Sequence, residues 1–141
     1  MNHRISRISI FHKVPSRLQW LIAYIGFLSL VSISAYSYGL PRWLDIIPFY
    51  DTIGHFVLMG ILGILTLLVL RRTIRIKLDI SVALAPIVIS LISIADEYLQ
   101  KLSPHRTFSY LDMAANLIGI WTFYFIYRFY AKSKRVKEES L

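Results

Sequence analysis

Four long apolar runs, near residues 18–38, 52–70, 78–95 and 111–130, are separated by short polar stretches. Each run approaches the ~20 residues a helix needs to cross a ~30 Å hydrocarbon core, so the pattern predicts an all-α, polytopic membrane protein, a bundle of four transmembrane helices. Gly54 and Gly60 in the second run suit close packing of membrane helices. Pro86 in the third removes one backbone donor and is expected to kink that helix without ending it. The first run is of full spanning length, and Ser32-Ile33-Ser34-Ala35-Tyr36 is a poor cleavage site, so an uncleaved helix is expected. Ahead of it, Ile5, Ile8, Phe11 and Val14 alternate with Arg4, Arg7, Lys13 and Arg17. Residues 1–17 therefore form either a short surface helix or a basic flank that sets topology.

Composition supports the same class. With 141 residues, 56% of them hydrophobic and 17% charged, and a mean hydropathy of +0.57, the chain is too apolar for a water-soluble domain of this size. The net charge of +8 sits in short flanks of apolar runs and forms no reader motif, which argues against nucleic acid as a partner. The absence of cysteine excludes disulfides, thiolate nucleophiles and Cys-based zinc sites. Thirteen of the sixteen Lys and Arg residues fall in the N-terminal flank, the segment between the second and third runs, and the C-terminal flank. Only Arg42, Lys101 and Arg106 fall on the other side. Positive residues stay on the cytoplasmic side, so both termini are expected there, with loops 39–51 and 96–110 outside. Tyr124, Tyr127 and Tyr130 are then expected at the inner interface, and Tyr36, Tyr38, Trp43, Tyr50 and Tyr110 at the outer one.

This orientation gathers the unusual residues at one end. Asp51 and His55 open the second helix, Asp96, Glu97 and Gln100 close the third, and Asp112 and Asn116 open the fourth. The spacings 51/55, 96/100 and 112/116/119 put each set on one helix face, and Gly119 leaves that face open to another backbone. Simpler roles exist for several of them. Asp51 could serve as an N-cap, Ser109-Tyr110-Leu111-Asp112 matches a capping box closed by Asp, and His55 and Asn116 could bond between helices. Asp96 and Glu97 are harder to explain so, because the carbonyl end of a helix repels anions. Arg106 is their expected partner, helped by the positive ends of helices two and four.

The motifs Asp51-x3-His55-Phe56, Asp96-Glu97-x2-Gln100, Pro104-x-Arg106 and Asp112-x3-Asn116-x2-Gly119, in this order, resemble the VanZ-like family of small bacterial membrane proteins. Where such proteins often open with Asp-Lys, this chain has Asp51-Thr52, one positive charge fewer. The resemblance implies one transmembrane domain over residues 18–130, between the 1–17 flank and a charged 131–141 tail, in the bacterial inner membrane. It also implies a link to resistance against the lipoglycopeptide teicoplanin.

Three functions compete. In the first, the outer cluster Asp51, His55, Asp96, Glu97, Gln100, Arg106, Asp112 and Asn116 binds an envelope lipid, a lipid-linked cell-wall precursor or a lipoglycopeptide, with Arg106 on a phosphate or carboxylate. In the second, the chain is a small enzyme on an envelope lipid, using acid and base groups or a divalent metal held by His55, Asp96, Glu97 and Asp112. No cofactor motif accompanies it. In the third, the cluster locks the helices and function lies in a partner protein.

Overall fold

The computed structural model describes residues 16–39, 42–77, 80–102 and 108–139. Four helices form the fold: α1 (Ser16–Tyr38), α2 (Tyr50–Val69), α3 (Leu84–Leu99) and α4 (Tyr110–Glu139). Short 3₁₀ turns at Arg42–Ile46 and Gln100–Leu102 follow α1 and α3, and a hairpin of β1 (Thr73–Lys77) and β2 (Ile80–Ala83) joins α2 to α3. The expected N-terminal surface segment, up to residue 15, and Arg106 lie outside the described residues.

Each helix places one aliphatic residue in a shared core: Leu21, Leu62, Ile89 and Ile120, with Met59, Leu65 and Trp121 packed around them. The closest pair is α2 and α4. A Cβ at Gly119 would run into the Phe56 carbonyl, 2.8 Å from its carbon, and one at Gly60 would meet the Phe123 ring at 2.7 Å. The contacts 56/119 and 60/123 keep a constant offset, so the two helices run in the same direction. Small residues let their backbones approach where any side chain would hold them apart.

The third element departs from expectation. Residues 80–83 are in a strand, and the helix covers 84–99 in place of 78–95. The signal is in the sequence: Thr73-Ile74-Arg75-Ile76-Lys77 alternates polar and β-branched residues at the period of a strand. Antiparallel pairing runs from Thr73 opposite Ala83 to Lys77 opposite Ile80, with one irregularity between Arg75 and Lys77. Pro86 therefore falls in the first turn of α3, where a backbone N–H has no intrahelical acceptor. The expected kink has no cause there. The α4 helix continues past Tyr130 to Glu139, so most of the expected tail is helical. Tyr124 is buried in the bundle: its hydroxyl accepts Ala83 N–H at 3.4 Å and Arg128 Nη1 at 3.3 Å.

Two tyrosines hold α1 on the bundle. Tyr24 donates its hydroxyl to the Leu58 carbonyl at 3.0 Å, and Tyr36 reaches Asp96 on α3. Outward, the helices expose large apolar side chains, among them Trp20, Leu30, Ile33, Leu91, Ile126 and Phe129. Large apolar side chains exposed in this number are the reverse of the surface of a water-soluble bundle. The α1 and α2 helices are long and apolar enough to cross a membrane.

Substitution at Gly119 should test the close approach. Gly119→Ala is expected to destabilise the purified protein by about 1–3 kcal/mol or more, since the neighbour is backbone and cannot rotate away. Gly26→Ala, with nothing within 4 Å of the new methyl, should be neutral or stabilise by up to ~1 kcal/mol. Equal melting temperatures for the two variants would contradict the α2/α4 packing.

Candidate functional site

The end of the bundle where α2 and α4 begin and α3 finishes carries the polar residues. Ser109 caps α4, its Oγ accepting Asp112 N–H at 3.2 Å. In a closed capping box, the Asp112 carboxylate would return the bond to Ser109 N–H. Here Glu97 of α3 does so instead: its Oε1 accepts Ser109 N–H at 2.8 Å, and its Oε2 accepts Gln100 Nε2 at 3.0 Å. Glu97 is 0% exposed. A carboxylate at the unfavourable end of α3 is thus set against the favourable end of α4, where backbone N–H groups and the helix dipole stabilise an anion.

Released from the box, Asp112 turns to α2. Thr52 donates its hydroxyl to Asp112 Oδ1 at 2.6 Å. This contact ties the start of α2 to the start of α4. One turn deeper, His55 Nδ1 lies 3.0 Å from Oδ1 of the buried Asn116. The other ring nitrogen, Nε2, is 3.6 Å from Asp51 Oδ1, within ion-pair range when the ring is protonated. The motifs Asp51-x3-His55 and Asp112-x3-Asn116 therefore lie at the same level on two helices of common direction, which is why their members meet.

Three of these side chains converge. Asp51, His55 and Asp112 each offer an oxygen or nitrogen, and the three atoms lie within 4.8 Å of one another. Donation from His55 Nδ1 to Asn116 Oδ1 leaves Nε2 facing Asp51, as the outer hydrogen bond of a metal-binding histidine does for its ligating nitrogen. This differs from the donor set expected from sequence, in which Asp96 and Glu97 accompany His55 and Asp112. Both oxygens of Glu97 are engaged elsewhere, and Asp96, about 100° around α3 from Glu97, turns towards α1.

On that side Tyr36 places its hydroxyl 3.4 Å from Asp96 Oδ1. Below lies a cavity of about 490 Å³ between α1 and α2. Leu28, Val31 and Ala35 of α1 and Ile53, Val57 and Leu58 of α2 form apolar walls, with Leu44 and Ile47 of the connecting segment over them. Its polar end is lined by Tyr36, Asp51, His55, Asp96 and Gln100. The expected site thus divides. Glu97, Asp112 and Asn116 are buried ties between helices, Asp51 and Asp96 face the cavity, and His55 and Gln100 belong to both. Tyr36 and Thr52 are contributors that sequence reasoning missed. Tyr36 carried only the signal of an interfacial aromatic, and Thr52 only its place beside Asp51.

The two roles should separate in stability. Glu97→Ala leaves the part-buried Ser109 N–H and the buried Gln100 amide without their acceptor and should cost about 2–5 kcal/mol. Asp96→Asn, at a half-buried position with a long hydrogen bond, should cost under about 1 kcal/mol. Thermal unfolding in one detergent checks both, and a larger loss for Asp96→Asn would reverse the assignment.

A family profile described as VanZ/LLP1 matches residues 4–131. Comparison with curated proteins and with solved structures gives no match. The matched span includes α1 to α3, the polar end of the bundle and most of α4, and with it every residue of the cluster; the chain belongs to the VanZ/LLP1 family.

Proposed function

We propose that this protein is an envelope membrane protein that spans the bacterial inner membrane four times, with both termini cytoplasmic, and binds an amphiphilic molecule at its outer end. The observation that carries this reading is the cavity of about 490 Å³, apolar between α1 and α2 and polar at the end lined by Asp51, His55 and Asp96. Its size falls in the ~300–1,000 Å³ range of small-molecule sites, and its two-part lining matches a molecule with a hydrocarbon part and a polar head. Charge counting supports the outer location, since the polar end lies opposite the Arg71, Arg72, Lys132 and Lys134 side. An envelope lipid, a lipid-linked cell-wall precursor and a lipoglycopeptide all have this form, and the last connects the site to glycopeptide resistance. The buried Glu97 and Asn116 ties then serve to hold the cavity walls in place.

Gly54 lines the cavity, and a Cβ there meets nothing within 4 Å. Gly54→Leu should therefore fill the cavity and leave the fold intact. Native mass spectrometry of protein extracted from membranes is expected to show a bound amphiphile in the wild type and a several-fold loss of it in Gly54→Leu. Equal occupancy in the two, at equal melting temperature, would count against the cavity as the binding site.

A second reading is favoured by the convergence of Asp51, His55 and Asp112: a small membrane enzyme that uses a divalent metal on an envelope lipid. Two carboxylates and an imidazole suit manganese or zinc, and such an ion would activate water or polarise a phosphoryl oxygen. Added Mn²⁺ or Zn²⁺ should then raise the melting temperature in the wild type, and His55→Ala and Asp112→Asn should each remove the rise. No shift at saturating metal would eliminate this version.

A further inference from the structure

The chemistry of the head group can be read from the lining of the cavity. Two carboxylates from different helices, Asp51 of α2 and Asp96 of α3, border its polar end beside His55, Tyr36 and Gln100. Among the described residues that line it there is no Lys or Arg. The exposed Lys101 stands at the same end but lies over the Tyr98 and Phe108 rings and is not among the lining residues, while Arg71, Arg72, Lys132 and Lys134 belong to segments at the other end of the helices. A chain with a net charge of +8 thus keeps carboxylates, and no Lys or Arg among the described lining residues, at the mouth of this apolar trough.

We propose that this cavity takes an amphiphile from the bilayer whose head group is a protonated amine, with the ammonium between Asp51 and Asp96 and the hydrocarbon chain along α1. This assignment rests on the amphiphile reading above and names its chemical class. An ammonium has three donors and no acceptor, which suits carboxylate oxygens and the side-chain oxygens of Tyr36 and Gln100. A phosphate or carboxylate head would meet like charge beside apolar walls, where the repulsion is poorly screened. Leu28, Val31 and Ala35 occupy one stripe of α1 at helical spacing, giving the chain a wall roughly 10 Å long below the head. The Tyr24 and Tyr36 bonds lie on either side of this stripe, so α1 is fastened at both ends of the trough and the space between is not closed by helix packing.

The test uses the full-length protein in phosphatidylcholine nanodiscs, titrated with dodecylamine, dodecanol, dodecyl phosphate and butylamine and read by native mass spectrometry against empty discs. Dodecylamine should bind about tenfold or more tightly than dodecanol and dodecyl phosphate, and butylamine should neither bind nor compete. In Asp96→Asn the advantage of amine over alcohol should shrink several-fold, and in the Asp51→Asn, Asp96→Asn pair it should vanish while dodecanol binds as before. Dodecyl phosphate binding as tightly as the amine, or an unchanged amine preference in folded Asp96→Asn, would overturn the head-group assignment and leave the amphiphile site standing. Competition by butylamine equal to that of dodecylamine would remove the chain from the assignment. If no probe with a chain binds at all, the amphiphile reading itself fails.

Discussion

The contact between Gly119 and the Phe56 backbone fixes the rest of the structure. Because α2 and α4 touch there without an intervening side chain, their axial register is set to within a fraction of a turn. The polar pairs one and two turns above, His55 with Asn116 and Thr52 with Asp112, follow from that register. A shift of one residue would rotate Asp112 about 100° away from Thr52 and leave two buried polar groups unpaired. The glycines and the polar pairs are therefore one device: the small residues bring the helices close, and the polar groups select one alignment among those that closeness permits.

The exchange of acceptors at the start of α4 joins this pair to α3. A self-contained capping box would satisfy Ser109 within its own helix and remove this tie between α3 and α4. Directing Glu97 to the Ser109 N–H instead makes the α4 cap depend on α3, while Asp112 becomes available to α2. Three helices are thereby tied through one turn of chain. Burial of a carboxylate is costly in isolation, and here two hydrogen bonds and the positive end of a helix offset it. Tyr36 extends the same arrangement to α1, but through a longer bond to a half-buried acid. The cavity lies on this α1 side.

Much of this was legible in the sequence, for identifiable reasons. Full-length apolar runs specify helices strongly, so α1 and α2 appear within two residues of expectation. Spacing of i and i+4 correctly joined Asp51 to His55 and put Asp112, Asn116 and Gly119 on one face. The errors come from competition between periods. Residues 78–83 are apolar enough to extend a helix, yet Ile80 and Val82 also suit a strand, and pairing with the alternating 73–77 segment decided the matter. Moving the start of α3 to Leu84 removed the reason for a kink at Pro86. The division of Asp96 from Glu97 could not be read at all, because adjacency in sequence hides the turn of about 100° that sends one to the cavity and the other into the α3/α4 contact.

One local strain bears on why the cavity survives in a packed bundle. Phe49, at the N-cap of α2, has φ 57° and ψ 26°, a left-handed conformation that costs a non-glycine residue roughly 1–2 kcal/mol. Its own side chain is exposed and gains little from the arrangement. The benefit falls on its neighbours. The turn lets Tyr50 N–H bond the Ile47 carbonyl at 3.2 Å and Ile53 N–H bond the Phe49 carbonyl at 2.9 Å, which starts α2 sharply. That start puts Leu44 and Ile47 over the trough and Asp51 at its polar end. A relaxed backbone at Phe49 would redirect the connecting segment, moving the cover and the first carboxylate together. Strain of this kind persists where surrounding structure over-determines it, and it is concentrated at sites that bind or react. Phe49 sits between Ile47 and Tyr50, which both line the cavity, so the strained turn is at its rim.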